Sequence, residues 1–286
     1  MGLITITSDW GANDHYVATV KAKIYGYLPE AKIVDVTHNV PVFDIAKAAY
    51  FIRNVYPYSP DGTVHIIGVD TISDKNRAHL IVCYHNQFFV GSDNGIFSLL
   101  FAKNELSSEL PSEVYEITEM QDHDSFTFPS RDLFAKVAAR LASGTPPEKL
   151  GTPTQIFNSV TPRLPFVREE KDSETKQILY KEFIGDVTYI DGYSNVNTNI
   201  HQLKFDELKS QFSHFEIFYG TGRMGIGEEK KDPIRKISTA YSDVAIADVL
   251  ALFAGNGYLQ IAMNKSKAAS LLGIKKDTQI IVRFRN

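Results

Sequence analysis

Apolar runs alternate with amphipathic segments along the first half of the chain. Leu3 to Thr7 is apolar and β-branched, which predicts a strand that ends at Ser8. The apolar residues that follow have helical spacing: Val17, Val20, Ile24 and Leu28. Ile33 to Val36 predicts the second strand, and Thr63 to Val69 predicts the third after a helix that Asp44 can cap. Strands that alternate with helices are typical of βαβ units, so we predict a mainly parallel sheet flanked by helices.

A hairpin and two further helices complete this first region. His79 to Tyr84 and Gln87 to Val90 are β-like runs that flank the turn residues His85-Asn86. Ile96 to Ala102 and Arg131 to Leu141 have the apolar spacing of helices. The first region is therefore predicted to be an α/β domain.

The residue composition changes after residue 143. Five prolines and two glycines lie between Ser143 and Pro165, which disfavours regular structure and indicates a domain boundary. A chain of 286 residues suits one or two domains, and we place an N-terminal α/β domain at 1–160 and a C-terminal mainly β domain at 161–286. Residues 168–177 are almost wholly charged or polar, which predicts an exposed hairpin tip.

Shorter β-like runs with alternating polarity dominate the second region. They are Phe183 to Ile190, Phe215 to Tyr219, Tyr258 to Met263 and Gln279 to Phe284. Alternation is typical of antiparallel strands with one buried face. We expect a smaller, mainly antiparallel domain with one helix, near Ala245 to Ala254 or Ser266 to Leu272.

Charge and cysteine content narrow the classes of function. The net charge of −4 offers no basic excess to neutralise phosphates, so we expect a small molecule or a protein as partner rather than a nucleic acid. Cys83 is the single cysteine, which excludes an intramolecular disulfide and suits a reducing cytoplasm. No stretch approaches 18 strongly apolar residues, so we expect no membrane partner. The histidines do not cluster at the spacing of metal ligands, and His38 and His65 are expected to be hydrogen-bonded beside the sheet.

Two acidic residues stand at the end of the first predicted strand. Asp9 follows the strand directly, and Asp14 opens the predicted helix. Ligands of open parallel sheets bind at the carboxyl ends of the strands, where a carboxylate can accept two hydrogen bonds from a ribose diol. Alternatively, Asp14 is a helix N-cap and Asp9 is a turn residue.

An acidic residue and a basic residue follow the third predicted strand. Asp70 closes the strand, and Arg77 lies seven residues later, across a loop that includes Ser73. If the loop brings them together, the guanidinium can stabilise hydroxide character on a water molecule that the carboxylate orients. Alternatively, the two side chains form an ion pair that only fixes the loop.

Polar and aromatic residues follow the strand Phe183 to Ile190. The segment is Asp191-Gly192-Tyr193-Ser194-Asn195. An amide matches the donor and acceptor edge of adenine, an aromatic ring can stack on a base, and a carboxylate can hold an ammonium group. The same residues also suit an ordinary turn.

In order along nearly the whole chain, these segments resemble the S-adenosyl-L-methionine (SAM) hydroxide adenosyltransferase family, which is related to the fluorinases and chlorinases. The N-terminal matches are Ser8-Asp9-Trp10-Gly11 with Asp14 and Tyr16, Ile33-Val34-Asp35-Val36-Thr37-His38 with Asp44, Pro60-Asp61-Gly62-Thr63-Val64-His65, Asp70 with Arg77, Ser92-Asp93-Asn94-Gly95, and Thr127-Phe128 with Arg131-Asp132. The C-terminal matches are Ile190-Asp191 with Asn195, Thr198-Asn199-Ile200, Tyr241-Ser242-Asp243-Val244, and Gly257-Tyr258-Leu259 through Asn264. Each motif alone is generic, but the ordered set is specific.

The resemblance implies an architecture, a reaction and a set of roles. It implies a C-terminal β-barrel-like domain and a homotrimer whose sites lie between one subunit's N-domain and a neighbour's C-domain. It implies hydrolysis of SAM to adenosine and L-methionine, with SAM as substrate and no cofactor or metal. The implied catalytic residues are Asp70 and Arg77, and the implied substrate-binding residues are Asp9, Asp14, Phe43, Ser73, Ser130, Asp191, Tyr193, Asn195, Met263 and Lys265.

The sequence departs from the family pattern beside the implied reaction centre. Pro129 follows Thr127-Phe128 where the family has a histidine, and Ser130 is the residue type that fluorinases use beside the halide. Two alternatives to hydrolysis therefore stay open. One is a halide-dependent adenosyltransferase that forms a 5′-halo-5′-deoxyadenosine, and the other is a SAM- or adenosine-binding protein without catalysis.

Overall fold

The chain forms two compact units, Met1–Pro162 and Arg163–Asn286, in a computed structural model. The structure describes residues 2–71, 77–101, 110–120, 127–156, 158–219 and 232–286. No helix within these ranges is both long and apolar enough to cross a lipid bilayer.

The N-terminal unit contains a seven-stranded sheet in the order β2-β1-β3-β5-β4-β6-β7. Its strands are β1 (Leu3–Ser8), β2 (Lys32–Thr37), β3 (Val64–Gly68), β4 (His79–Tyr84), β5 (Gln87–Ser92), β6 (Glu113–Ile117) and β7 (Gly151–Pro153). The pairs β2-β1, β1-β3 and β3-β5 are parallel, whereas β4, β6 and β7 pair antiparallel with their neighbours. The sheet is therefore mixed rather than mainly parallel, because the predicted β4-β5 hairpin reverses the chain direction within it.

Helices cover both faces of this sheet. They are α1 (Tyr16–Tyr27), α2 (Ile45–Arg53), α3 (Ile96–Leu100) and α4 (Ala135–Ala142), with a π-helix at Ser130–Phe134 before α4. One apolar cluster joins α1 and α4 to residues such as Ile4 and Ile66. A second joins α2 and α3 to residues such as Ile67 and Phe89. Successive side chains of a strand point to opposite faces of the sheet, so β3 places Ile66 in the first cluster and Ile67 in the second.

The C-terminal unit is mainly antiparallel, as the alternating pattern predicts. Its elements are β8 (Phe166–Lys171), β9 (Ile178–Ile190), β10 (Val196–His201), α5 (Gln202–Lys209), β11 (His214–Phe218), β12 (Val249–Phe253), β13 (Tyr258–Met263), α6 (Ala268–Leu272) and β14 (Gln279–Arg285). The sheet order is β11-β14-β9-β10-β13-β12, with β8 paired to β9. Ile234 bridges to Ile217 of β11, and Ile237 bridges to Ala251 of β12, so one short segment reaches both edges of a curled sheet.

Several local predictions are confirmed. The carboxylate of Asp44 accepts a hydrogen bond from the backbone N–H of Lys47 at 2.9 Å and so caps α2. The predicted hairpin tip at 168–177 is confirmed in part: residues 172–177 form the turn of the β8-β9 hairpin, whereas residues 168–171 belong to strand β8. His65 is hydrogen-bonded within the sheet through Thr5 and Gln87.

Two local predictions are wrong. Asp14 does not cap α1, because the N-cap residue is His15, and neither residue supplies a side-chain hydrogen bond to the helix end. Among the described residues, the C-terminal unit has two helices rather than the one expected: α6 lies in the predicted range Ser266 to Leu272, α5 was not predicted, and residues 249–253 of the alternative range form β12. The sequence of residues 249–253 lacks the alternating pattern of a strand because both faces of β12 are buried. Ala251 packs in the main core, and Leu250 and Leu252 pack in a separate cluster.

Candidate functional site

Two carboxylates meet at the edge of the N-terminal sheet where neighbouring parallel strands end. Asp9 follows β1, and Asp70 lies two residues beyond β3. Asp9 Oδ2 accepts hydrogen bonds from the backbone N–H of Phe43, at 3.0 Å, and from that of Asp70, at 3.4 Å. Asp9 thus links three loops, and no described residue donates a hydrogen bond to its Oδ1.

Asp70 and Arg77 are in direct contact. Arg77 Nη1 lies 3.4 Å from Asp70 Oδ2 and donates to the Asp70 backbone oxygen at 3.2 Å. Both side chains are about one-quarter exposed, at 25% for Asp70 and 29% for Arg77. Asp70 has a positive φ of 46°, which costs energy for a residue with a Cβ atom. The amide of Asn94 stabilises that conformation by donating to the backbone oxygens of Val69 and Asp70, each at 3.0 Å.

Phe43 presents an exposed aromatic ring beside this cluster. Its side chain is 57% exposed, and its φ is 64°. The hydrogen bond from its backbone to Asp9 holds this left-handed conformation. An exposed aromatic ring on a held backbone is suited to contact an apolar or planar ligand face.

An aromatic cluster that we did not predict lies behind Asp9. The indole of Trp10 stacks on the ring of His38 at 6.1 Å and meets Phe128 edge-on at 5.3 Å. Phe128 also contacts Tyr16 edge-on at 5.4 Å. Gly68 permits this packing, because a Cβ atom there would lie 2.2 Å from the indole. Trp10 is the single tryptophan of the chain, a compositional signal that could have drawn attention to it.

Ser130 begins the π-helix and is fully buried. Its hydroxyl has no hydrogen-bond partner among the described residues. Pro129 precedes it as the N-cap residue and supplies no side-chain donor. π-helical turns are frequent at functional sites, and an unpaired buried hydroxyl is costly unless a ligand or water satisfies it.

Two further predicted residues are not joined to this cluster. Asp14 is exposed and has no hydrogen bond or ion pair in the described part of the chain. Ser73 lies outside the described residues.

In the C-terminal unit, Asp191 organises a tight turn. Its Oδ1 accepts from the backbone N–H groups of Tyr193 and Asn195, each at 2.9 Å, and its Oδ2 accepts from the Asn195 side-chain amide at 3.0 Å. The turn leaves Tyr193 82% exposed, whereas Asn195 is 7% exposed. The turn chemistry that we considered is therefore present, and it displays the Tyr193 ring to solvent.

The segment after β13 approaches the same turn. Met263 ends β13, and Lys265 follows with a φ of 51°. The Ala269 backbone N–H, at the start of α6, donates to the Ser194 backbone oxygen at 2.8 Å. The turn and the 263–269 segment therefore lie at one end of this unit.

A chain of polar contacts that the sequence did not reveal adjoins this end, with Gln260 and Asn197 buried and Tyr241 45% exposed. The Tyr241 hydroxyl donates to Gln260 Oε1 at 2.7 Å, and Gln260 Nε2 donates to Asn197 Oδ1 at 2.9 Å. Partial burial and the negative charge of Asp191 raise the pKa of Tyr241, so its hydroxyl keeps its proton. These contacts join residues up to 63 positions apart in the sequence, so no local pattern predicts them.

His65 and His79 in the N-terminal unit are uncharged near neutral pH. Burial lowers the pKa of His65 to about 4, and burial together with the charge of Arg77 lowers the pKa of His79 to about 4. Within the described ranges, no three side chains among His, Cys, Asp and Glu are grouped so that they could hold a metal ion.

Both units match one protein family. The SAM hydroxide adenosyltransferase N-terminal domain matches residues 4–151, and the C-terminal domain of the same family matches residues 185–281. The chain is 29% identical to an (R)-S-adenosyl-L-methionine hydrolase of Salinispora tropica over 277 residues, or 95% of this chain and 94% of the relative. It is 24% identical to a fluorinase of Nocardia brasiliensis over 310 aligned positions, which cover 98% of this chain and 96% of the relative.

A solved structure has the same fold. The crystal structure of an uncharacterized conserved protein from Thermotoga maritima superposes with a TM-score of 0.81 at 29% identity, and covers 98% of this chain and 99% of that one. The family domains together account for most of the sequence, and they include the strand ends that carry Asp9, Asp70 and Asp191. The chain belongs to the SAM hydroxide adenosyltransferase family.

Proposed function

We propose that the protein hydrolyses SAM to adenosine and L-methionine. The observation that carries the proposal is the contact between Asp70 and Arg77 beside Asp9, in a chain that belongs to the SAM hydroxide adenosyltransferase family. Relatives that align over nearly the whole chain are named as hydrolases of the (R) epimer at sulfur. We therefore propose the (R) epimer as the substrate.

The reaction is a displacement at the ribose C5′ carbon. A water oxygen forms a bond to C5′ while the C5′–S bond breaks, and the electron pair of that bond neutralises the sulfonium. Methionine leaves as a neutral thioether, and the water releases one proton. No general acid is needed for this leaving group, so the protein has to align the water, exclude bulk solvent and accept or release the proton.

Asp70 and Arg77 suit the handling of that water. The guanidinium can stabilise negative charge as the water loses its proton, and the carboxylate can accept one O–H of the water so that an oxygen lone pair points at C5′. Their side chains are each partly exposed, so a water molecule can reach both. The attacking oxygen must lie about 3 to 3.5 Å from C5′.

The remaining predicted residues bind the substrate. Asp9 binds the ribose diol through Oδ1, and the aromatic ring of Phe43 packs against the substrate. Asp191 can accept further hydrogen bonds besides those within its own turn, because a carboxylate has about four acceptor positions. The assigned roles are methionine-end contacts for Asp14 and Asp191, adenine contacts for Tyr193, Asn195 and the backbone near Met263 and Lys265, and further substrate contacts for Ser73 and Ser130.

We also propose the setting in which the site works. The protein is a homotrimer, and each site is formed by the N-domain of one subunit and the barrel-like C-domain of its neighbour. It uses neither a cofactor nor a metal ion, because the sulfonium itself supplies the activated leaving group. A chain with one cysteine, buried Cys83, suits a cytoplasmic setting.

Incubation with purified (R)- and (S)-SAM tests the reaction. We expect chromatography to show adenosine and methionine in equal amounts, with oxygen from labelled water in the adenosine 5′-hydroxyl. Faster conversion of the (R) epimer supports the proposed substrate. Recovery of intact SAM from a protein that binds it tightly would instead support the non-catalytic alternative that Pro129 raises.

A halide-dependent reaction is the second candidate. The buried hydroxyl of Ser130, which has no hydrogen-bond partner among the described residues, favours it, together with the similarity to a fluorinase. Incubation with SAM in high chloride or fluoride separates the two reactions. A 5′-halo-5′-deoxyadenosine product supports the second candidate, and adenosine alone excludes it.

A further inference from the structure

A chain of polar contacts runs from the surface to the strand end that carries Asp9. Lys21 Nζ lies 2.5 Å from Asp35 Oδ2, and Asp35 Oδ1 lies 3.1 Å from His38 Nε2. His38 Nδ1 lies 2.7 Å from Ser8 Oγ. Ser8 is fully buried and is the residue directly before Asp9. None of these contacts takes part in the proposed reaction.

The surroundings of His38 assign its tautomer. Nε2 faces the Asp35 carboxylate in an electrostatic contact without good hydrogen-bond alignment, so we assign the ring proton to Nε2. Nδ1 then accepts the hydrogen bond that the Ser8 hydroxyl donates. Burial of Asp35 favours a raised pKa, but its contacts with Lys21 and His38 outweigh it and hold its pKa below the usual value. Asp35 is therefore ionised at neutral pH.

His38 also contacts the loop on both sides of Asp9. Its ring stacks on Trp10, and its backbone oxygen accepts from the Gly11 N–H at 2.8 Å. Ser8 is held in turn by its backbone oxygen, which accepts from the Val40 N–H at 3.2 Å. His38 thus contacts Ser8 on one side of Asp9 and both Trp10 and Gly11 on the other.

We propose that His38 is a positioning residue for the ribose-binding carboxylate of Asp9, which it fixes through Ser8, Trp10 and Gly11. The inference rests on the proposed function, in which Asp9 binds the ribose diol. A carboxylate displaced by a fraction of an ångström loses one of two paired hydrogen bonds to a diol, so ribose affinity is the property that His38 controls.

His65 provides a matched control. It pairs with another β1 hydroxyl, since its Nδ1 lies 2.7 Å from Thr5 Oγ1, and its ring stacks on Phe89 at 4.5 Å. It is 2% exposed, compared with 8% for His38. Like His38, His65 is therefore a buried histidine that contacts a hydroxyl group of β1. Unlike His38, it contacts no part of the 8–11 loop.

The test compares His38→Phe, His38→Asn, Ser8→Ala and His65→Phe. Phenylalanine keeps a ring against Trp10 and removes the nitrogen that accepts from Ser8, whereas asparagine restores a polar atom near the position of Nδ1. We expect His38→Phe and Ser8→Ala to weaken adenosine binding about tenfold and to raise KM for SAM similarly, with kcat changed less. We expect His38→Asn to recover most of the affinity, and His65→Phe to lower thermal stability without changing either constant.

The outcomes separate this inference from the proposed function. Adenosine affinity that is unchanged in folded His38→Phe overturns the positioning role, as does equal loss in His65→Phe. If His38→Phe fails to fold, unchanged affinity in Ser8→Ala overturns it. If the wild-type protein binds adenosine but does not convert SAM, the hydrolase proposal fails, while the adenosine affinities of the variants still decide the role of His38.

Discussion

Arg77 contacts Asp70 through two different acceptors, the side-chain carboxylate at 3.4 Å and the backbone oxygen at 3.2 Å. The backbone contact means that Arg77 supports the left-handed conformation of Asp70 as well as its charge. In the proposed reaction the same guanidinium faces the attacking water. Structural and catalytic consequences of changing Arg77 therefore have to be separated by measurement.

Replacement of Arg77 by alanine is expected to lower kcat about 100-fold, because a preorganised donor beside the developing charge is lost. KM for SAM is expected to change by less than about threefold, since the proposed substrate contacts are elsewhere. Arg77→Lys keeps the charge without the two-pronged donor geometry, and an intermediate kcat is expected. Steady-state kinetics measure both constants, and a variant with normal kcat would remove Arg77 from the mechanism.

Replacement of Asp9 by alanine is expected to weaken adenosine binding by about 1.5 to 3 kcal/mol, the cost of losing charge-assisted hydrogen bonds. The same change frees the backbone N–H of Phe43, so its aromatic ring is loosened too. Asp61→Ala is the control, because Asp61 pairs with Asn86 before β3 begins, at the opposite end of that strand. Calorimetric titration with adenosine measures both variants, and equal affinities would place the ribose elsewhere.

Local signals account for the parts of the site that the sequence could predict. Asp9, Asp70 and Arg77 lie at strand ends or in a short loop, and hydrophobic runs mark where those strands end. Contacts such as Ser8 with His38 are 30 residues apart in sequence and depend on how β1 and β2 pair. The mixed sheet was missed for a related reason, since the hairpin pattern does not reveal which strand its second member joins. Family resemblance, rather than pattern, supplied the roles of Met263 and Lys265.

Acid is expected to destabilise the N-terminal unit through His65 and His79. Each has a folded pKa of about 4 against an ordinary value of 6.5, so between these values the unfolded chain binds protons that the folded chain excludes. The free energy of unfolding therefore falls as pH decreases through this window, by up to about 3 kcal/mol for each histidine, and levels off below pH 4. Urea unfolding of wild type and His65→Gln at pH 7 and pH 4.5 measures the effect. The variant is expected to lose less stability between the two pH values, and an equal loss would contradict the assignment to His65.

Substitution of Gly68 by alanine is expected to displace Trp10 from its place beside Asp9. The new Cβ atom would lie 2.2 Å from the indole, which is held between His38 and Phe128 and cannot move freely. Overpacking of this kind costs about 1 to 3 kcal/mol. Because Trp10 is the single tryptophan, its fluorescence reports the displacement directly, and a shift of the emission to longer wavelength is expected together with weaker SAM binding. Gly255→Ala is the control, since a Cβ atom there meets nothing within 4 Å. Unchanged emission and affinity in Gly68→Ala would show that the aromatic cluster tolerates rearrangement and does not define the site.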